Sequence, residues 1–263
     1  MHNASIYSSN PGNLDTLLSG YSLPTSLKTL SLGGAYDDLW DVIEGVQFLD
    51  RWICTHCPVQ LSAFSVYKVN ISSDIGPGGP IIPNIEPLLV RCQSLRFLHV
   101  GIDSWHTDAV ENGFYDLSAP QHLERLIISI RDIVQDSRSR LLLNLVSRMI
   151  DTLTSPRLRS ITLNASGSSF RVIEEKWDAL DALLASSKFA LVTIELVVPF
   201  SNLTIADGTE KEDLSLARSL FMRCDRGGRL RVIRAPFVVT TRTWKDIPNR
   251  EVIDWVCEGK WRD

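Results

Sequence analysis

Cys54-Thr-His-Cys57 places two thiols and an imidazole within four residues, the spacing of half a zinc site or of a redox pair. A structural zinc needs about four ligands at defined spacings, and no second CxxC follows. Cys57 stands four residues before Leu61, and Cys92 three before Leu95. Both lie where the chain leaves a helical stretch for a strand-like phrase, so small buried thiols are the expectation. The five histidines are His2, His56, His99, His106 and His122. None falls in HxxxH or HExxH spacing, and no GxSxG elbow presents a serine nucleophile. The pairs Gly33-Gly34, Gly78-Gly79 and Gly227-Gly228 lack the third glycine or the lysine of a phosphate-cradling loop. Asp103, Ser104, His106 and Asp108 form a dense polar cluster after a strand-like phrase. They would line a pocket only if the chain were a doubly wound, hydrolase-like α/β enzyme with its site at the carboxyl ends of the strands. No catalytic set, metal or cofactor is assigned.

Composition narrows the classes further. Lys and Arg number 27 against 31 Asp and Glu in 263 residues, a net charge of −4. No basic excess is present to neutralise a phosphate backbone, so no nucleic-acid partner is expected. Apolar residues make up 44%, enough for a large core. The opening MHNASIYSSNPG is polar with no apolar run behind it, and no stretch nears the ~18 apolar residues of a membrane span. Neither a signal peptide nor a membrane partner is expected. Five cysteines without an export signal read as reduced thiols, and the expected location is cytoplasmic or nuclear. The four N-x-[ST] sequons, at Asn3, Asn70, Asn164 and Asn202, are then incidental.

The elements that would position any site come from a repeat. A phrase Leu-x-x-apolar-x-apolar recurs as LKTLSL (27–32), LSAFSV (61–66), LRFLHV (95–100), LERLII (123–128), LRSITL (158–163), LVTIEL (191–196) and LRVIRA (230–235). The starts lie 34, 34, 28, 35, 33 and 39 residues apart. A period in that range is the signature of a solenoid. Alternating apolar residues predict a short strand in each copy, with the first Leu as a third inward anchor. Between the copies, apolar residues three and four apart predict helices over 37–57, 84–92, 139–153, 174–186 and 212–224. Strand and helix alternating seven times predict parallel strands with helical crossovers. The one recurring strand register favours an α/β leucine-rich-repeat solenoid of about seven irregular units over a doubly wound sheet. The chain divides into a lead-in over 1–22, the repeats over 23–235, and a cap or tail over 236–263 holding Trp244, Trp255 and Trp261.

The phrases LPTSLKTLSLGG (23–34), CQSLRFLHVGIDSW (92–105), LTSPRLRSITLNAS (153–166) and EEKWDALDALLASSKFALVTIELVV (174–198) resemble the irregular leucine-rich-repeat region of fungal, mushroom-type F-box proteins. The resemblance implies a non-enzymatic substrate receptor of a cullin-based ubiquitin ligase, whose repeats hold a target protein. An F-box itself, about 40–50 helical, Leu- and Pro-rich residues, is not visible in MHNASIYSSNPGNLDTLLSGYS. A Skp-type adaptor therefore has no evident docking module here.

Residues between the inward positions would form the concave face and meet the target. They are Thr29 with Ser31, Ser65 with Tyr67, Phe97 with His99, Arg125 with Ile127, Ser160 with Thr162, Thr193 with Glu195, and Val232 with Arg234. Tyr67, Phe97, His99 and Arg125 would fall on neighbouring strands and combine aromatic area with a guanidinium fork, the usual composition of a binding hot spot.

Overall fold

Seven of the strands in the computed structural model arise from the seven leucine phrases. The structure describes residues 2–6, 27–33, 60–67, 86–102, 116–130, 137–165, 174–200 and 209–236. In chain order the elements are β1 (His2–Ile6), β2 (Leu27–Gly33), β3 (Ala63–Tyr67), α1 (Glu86–Arg91), β4 (Phe97–Ile102), β5 (Arg125–Ile130), α2 (Ser137–Thr152), β6 (Ser160–Ala165), α3 (Glu174–Leu184), β7 (Thr193–Phe200), α4 (Thr209–Leu220), α5 (Met222–Arg226) and β8 (Leu230–Pro236). The protein is α/β, with one sheet of eight strands ordered β1 to β8 as in the chain. Every neighbouring pair is parallel. The first strand, HNASI, lies in the expected lead-in and pairs with β2.

Alternation along each strand sorts its residues between two faces. Leu98, Leu126, Ile161 and Ile194 are register partners in turn, as are Val100, Ile128, Leu163 and Leu196. These eight are fully buried and share one core with the apolar stripes of the helices. Helix α2 contributes Leu142, Leu145, Val146, Met149 and Ile150 at the three- and four-residue spacings of one helical face. Helix α3 contributes Trp177, Leu180 and Leu184. The ring of Trp177 packs 5.6 Å from that of Phe221, centroid to centroid, tilted by 59°. That is a favoured aromatic geometry.

The first Leu of each phrase is the expected third anchor in four units: Leu61, Leu95, Leu123 and Leu158 are all buried. The sixth unit differs. Leu191 is 94% exposed and Val192 is buried in its stead. The chain reaches β7 through a 3₁₀ turn at Ser187–Phe189, and Val192 N–H closes onto Phe189 O, which brings Val192 inward.

The expected helix over 212–224 is two helices, α4 and α5, meeting at Phe221. The second ends at the Gly227-Gly228 pair. Gly228 N–H bonds Asp225 O, Arg229 N–H bonds Cys224 O, and Gly228 takes a φ of +67°. This is a Schellman stop, in which glycine tolerates the left-handed residue beyond the cap. The helix expected over 37–57 lies outside the described residues, as does the tail beyond Pro236. No described helix is long and apolar enough to cross a membrane.

Successive units are also tied at the N-terminal ends of the strands. The ladder extends back from the strands as Ser62 N–H to Lys28 O, Arg96 N–H to Ser62 O, Glu124 N–H to Arg96 O and Arg159 N–H to Glu124 O, at 2.8–2.9 Å. Short polar side chains add to it. Ser94 Oγ donates to Leu61 O at 2.9 Å, and Ser155 Oγ reaches Leu123 O at 2.8 Å. In the last unit Arg229 spans farther, donating to Leu184 O and Phe189 O. These bonds satisfy carbonyls at the helix ends and in the turns that lead into the strands.

Candidate functional site

The sheet face opposite the main core carries three rows of side chains at right angles to the strands. The first reads Ala63, Phe97, Arg125, Ser160, Thr193. The second reads His99, Ile127, Thr162, Glu195, Arg231. The third holds Gly101, Ser129, Asn164, Val197 and Ile233. Ala63, Phe97 and Ile127 make a small apolar cluster of their own, separate from the main core.

Five of the six buried polar side chains among the described residues lie on this face: His99, Ser129, Ser160, Thr162 and Glu195. His99, Ser129, Thr162 and Glu195 hydrogen-bond across strands, as buried polar groups must. His99 Nε2 stands 3.0 Å from Ser129 Oγ, and Asn164 Nδ2 donates to the same oxygen at 3.5 Å. Thr162 Oγ1 donates to Glu195 Oε2 at 2.8 Å, and Arg231 brings its guanidinium to 3.8 Å from Glu195 Oε1. Burial pushes the His99 imidazole down to about 4, so it is neutral at physiological pH. Ser129 and His99 thus have the spacing of a nucleophile and its base. They are only 4% and 6% exposed, so a substrate would reach the oxygen only after the face had opened.

The structure brings together Phe97, His99, Arg125, Ile127, Thr162 and Glu195 on one face, in the order the repeats predict. It corrects their exposure. Phe97, His99, Ile127, Thr162 and Glu195 are all under 10% exposed, whereas free contact residues were expected. Parallel strands hold adjacent side chains about 4.8 Å apart, and large ones cover one another. What stays accessible is half-buried Arg125 and Asn164, with exposed Thr193 and Arg231.

Two register expectations are also corrected. Ala63 stands opposite Phe97 and Ser65 opposite His99, while Tyr67 pairs with Gly33, one row farther along. The last strand is displaced by an odd number of residues. Arg231, not Arg234, lies opposite Glu195, and Arg234 takes the position opposite Val198. Val232 is the partner of Leu196 and packs against the main core. An odd shift exchanges the two faces of a strand. LRVIRA misled because its best apolar pair for the core is Leu230 and Val232, not Ile233 and Ala235.

Cys92 and Cys224 are buried free thiols, as expected for Cys92 from its place before a strand. Burial pushes them up to about 11 and about 12, and the nearby carboxylate of Asp181 adds to the shift at Cys224. The Cys54–Cys57 motif and the cluster of Asp103, Ser104, His106 and Asp108 lie outside the described residues.

Sequence reading missed Asp181. This carboxylate on α3 is 1% exposed and accepts the backbone N–H groups of Arg223 at 2.9 Å and Cys224 at 3.1 Å. It caps α5 from another helix, where Phe221 supplies no side-chain cap. An Asp four residues after Trp177 on an apolar stripe was the available signal.

No family model, curated protein or solved structure matches this chain.

Proposed function

We propose that this chain is a non-enzymatic protein-interaction module, a leucine-rich-repeat solenoid of the kind that holds the target in an F-box substrate receptor. The observation that carries the reading is the sheet itself. Its strands follow chain order without a reversal, and the described helices share one core with one sheet face. A doubly wound enzyme needs helices on both faces and a crevice where the strand order reverses. Sequential order with every described helix in one layer supports a solenoid, and such a fold offers its other sheet face to a partner. That face carries the accessible Arg125, Asn164, Thr193 and Arg231 and, on β4 and β5, the packed apolar Phe97 and Ile127. Accessible polar groups beside a packed apolar cluster suit a protein surface.

Affinity capture tests this. The wild type is compared with Asn164→Lys/Thr193→Lys on the open face and with Arg218→Glu on α4, each checked for folding by circular dichroism. The captured protein is expected to be lost with the first variant and kept with the second. Equal capture by all three, or loss only with Arg218→Glu, would overturn the reading. Capture of a purified Skp-type adaptor by this chain would show that it carries adaptor-binding elements of its own.

A further inference from the structure

We propose that the N-terminal edge of the sheet docks an extended acidic segment of a partner protein, with Lys28, Arg96 and Arg159 as its three contact points. These residues belong to the backbone ladder that runs Lys28, Ser62, Arg96, Glu124, Arg159 across successive units, so their spacing is fixed by the sheet. Strands stand about 4.8 Å apart, which puts each basic residue about 10 Å from the next. All three are exposed. Arg157 is exposed as well, two residues before Arg159 on the other side of buried Leu158.

Glu124 interrupts the row but does not cancel it. It is half-buried and engages Arg96 at 3.8 Å through one guanidinium nitrogen. A guanidinium has five N–H donors, so Arg96 keeps others for an incoming carboxylate. Among the described residues no carboxylate forms an ion pair with Lys28, Arg157 or Arg159. Among the described residues these side chains make no hydrogen bond or ion pair, in contrast to Arg229, which bonds two carbonyls, and Arg223, which holds Asp178.

The spacing selects the shape of the ligand. An extended peptide rises about 3.3 Å per residue, so acids three residues apart recur every 10 Å or so, the interval of the row. Arginine grips a carboxylate through paired N–H groups, which adds geometry to charge. At physiological salt an anionic ligand senses chiefly the charges within about 8 Å, so a short acidic segment meets the row rather than the chain's net charge of −4. The inference does not require the open sheet face to be occupied.

The probe is a fluorescent twelve-residue peptide with Glu at every third position among Ser and Ala, and its Gln counterpart. Anisotropy is read for the full chain, for Lys28→Gln/Arg96→Gln/Arg159→Gln, and for Arg218→Gln/Arg226→Gln as a control on the helices. The Glu peptide is expected to bind the wild type and the control alike, to lose at least tenfold with the triple variant, and to weaken as salt rises. The Gln peptide is expected not to bind. Equal binding by the triple variant, or no preference for Glu over Gln, would overturn the proposal. So would tighter binding of a single-stranded oligouridine through the same three residues, which would make the row a phosphate surface. Loss of capture in the Asn164/Thr193 experiment with peptide binding intact would separate the two surfaces.

Discussion

Glu195 is a buried carboxylate that faces Arg231 across the β7–β8 ladder, with its other oxygen taken by the Thr162 hydroxyl. Among the described residues its partners are one hydroxyl and one guanidinium, and the Arg231 side chain is 45% exposed. An exposed partner contributes little by itself, but removing it leaves a buried charge with weaker compensation. Arg231→Gln is expected to cost about 1–2 kcal/mol. Adding Glu195→Gln should recover part of that loss, since an amide oxygen still accepts from Thr162. Urea denaturation of the two singles and the double gives the coupling; strictly additive losses would show that the pair does not interact.

Asp181 is the opposite case, a buried carboxylate whose main partners are backbone amides. Asp181→Ala leaves the N–H groups of Arg223 and Cys224 without their acceptor at the start of α5. Unpaired buried donors cost about 1–3 kcal/mol. The damage should be local: amide exchange in α5 and in the Gly227-Gly228 stop should quicken, while β4–β6 stay protected. Uniformly faster exchange would mean that α5 folds only with the whole sheet.

The two faces of β4 give a graded test of packing. Leu98 is fully buried in the main core, and Leu98→Ala is expected to cost about 2–5 kcal/mol. Phe97 belongs with Ala63 and Ile127 to the small second cluster. Phe97→Ala should therefore cost less than Leu98→Ala, roughly 1–3 kcal/mol, because the open face can relax around the gap. Melting temperatures rank the two; a larger drop for Phe97→Ala would mean that the second cluster is as tightly enclosed as the core.

These same residues show how far sequence carries. Period-2 alternation in FLHVGI and RLIISI placed Leu98, Val100, Leu126 and Ile128 inward, because only one choice of face buries a continuous apolar row. Helices α2 and α3 were legible because their stripes are long and strongly periodic. Three features were not. HNASI is short and mostly polar, so β1 exists through pairing with β2 rather than through its own pattern. In LRVIRA both registers offer apolar residues inward, and only the partner strand decides between them. The burial of His99 and Glu195 depends on what lies beside them across strands, which no single phrase records. Asp181 pairs with amides 42 and 43 residues away in the chain, beyond any local spacing rule.

The thiols should be inert while the fold is intact. Cys92 and Cys224 are buried and held at about 11 and about 12, so thiolate is scarce at pH 8. Iodoacetamide at pH 8, followed by peptide mapping, is expected to leave both unlabelled in the native chain and to label both in guanidinium chloride. Fast native labelling of Cys224 would show that α5 opens readily, and Asp181→Ala should then accelerate it further.

The last prediction concerns acid. His99 is held at about 4 by burial, against an ordinary value of 6.5. Its neutral form is the one the fold accepts, beside the Ser129 hydroxyl. Between pH 6.5 and 4 the unfolded chain therefore binds more protons at this site than the native one, and stability falls as pH falls through that window. Above pH 6.5 the histidine is neutral in both states and contributes no pH dependence. The full loss, reached below pH 4, amounts to at most about 3.4 kcal/mol for a shift of this size. Urea midpoints measured at pH 7.5, 6.0 and 5.0 should decline for the wild type. The decline should be shallower for His99→Gln, which keeps an amide near Ser129 but cannot titrate. Parallel declines in the two proteins would assign the acid sensitivity to other groups and leave His99 in a more solvated setting than its burial implies.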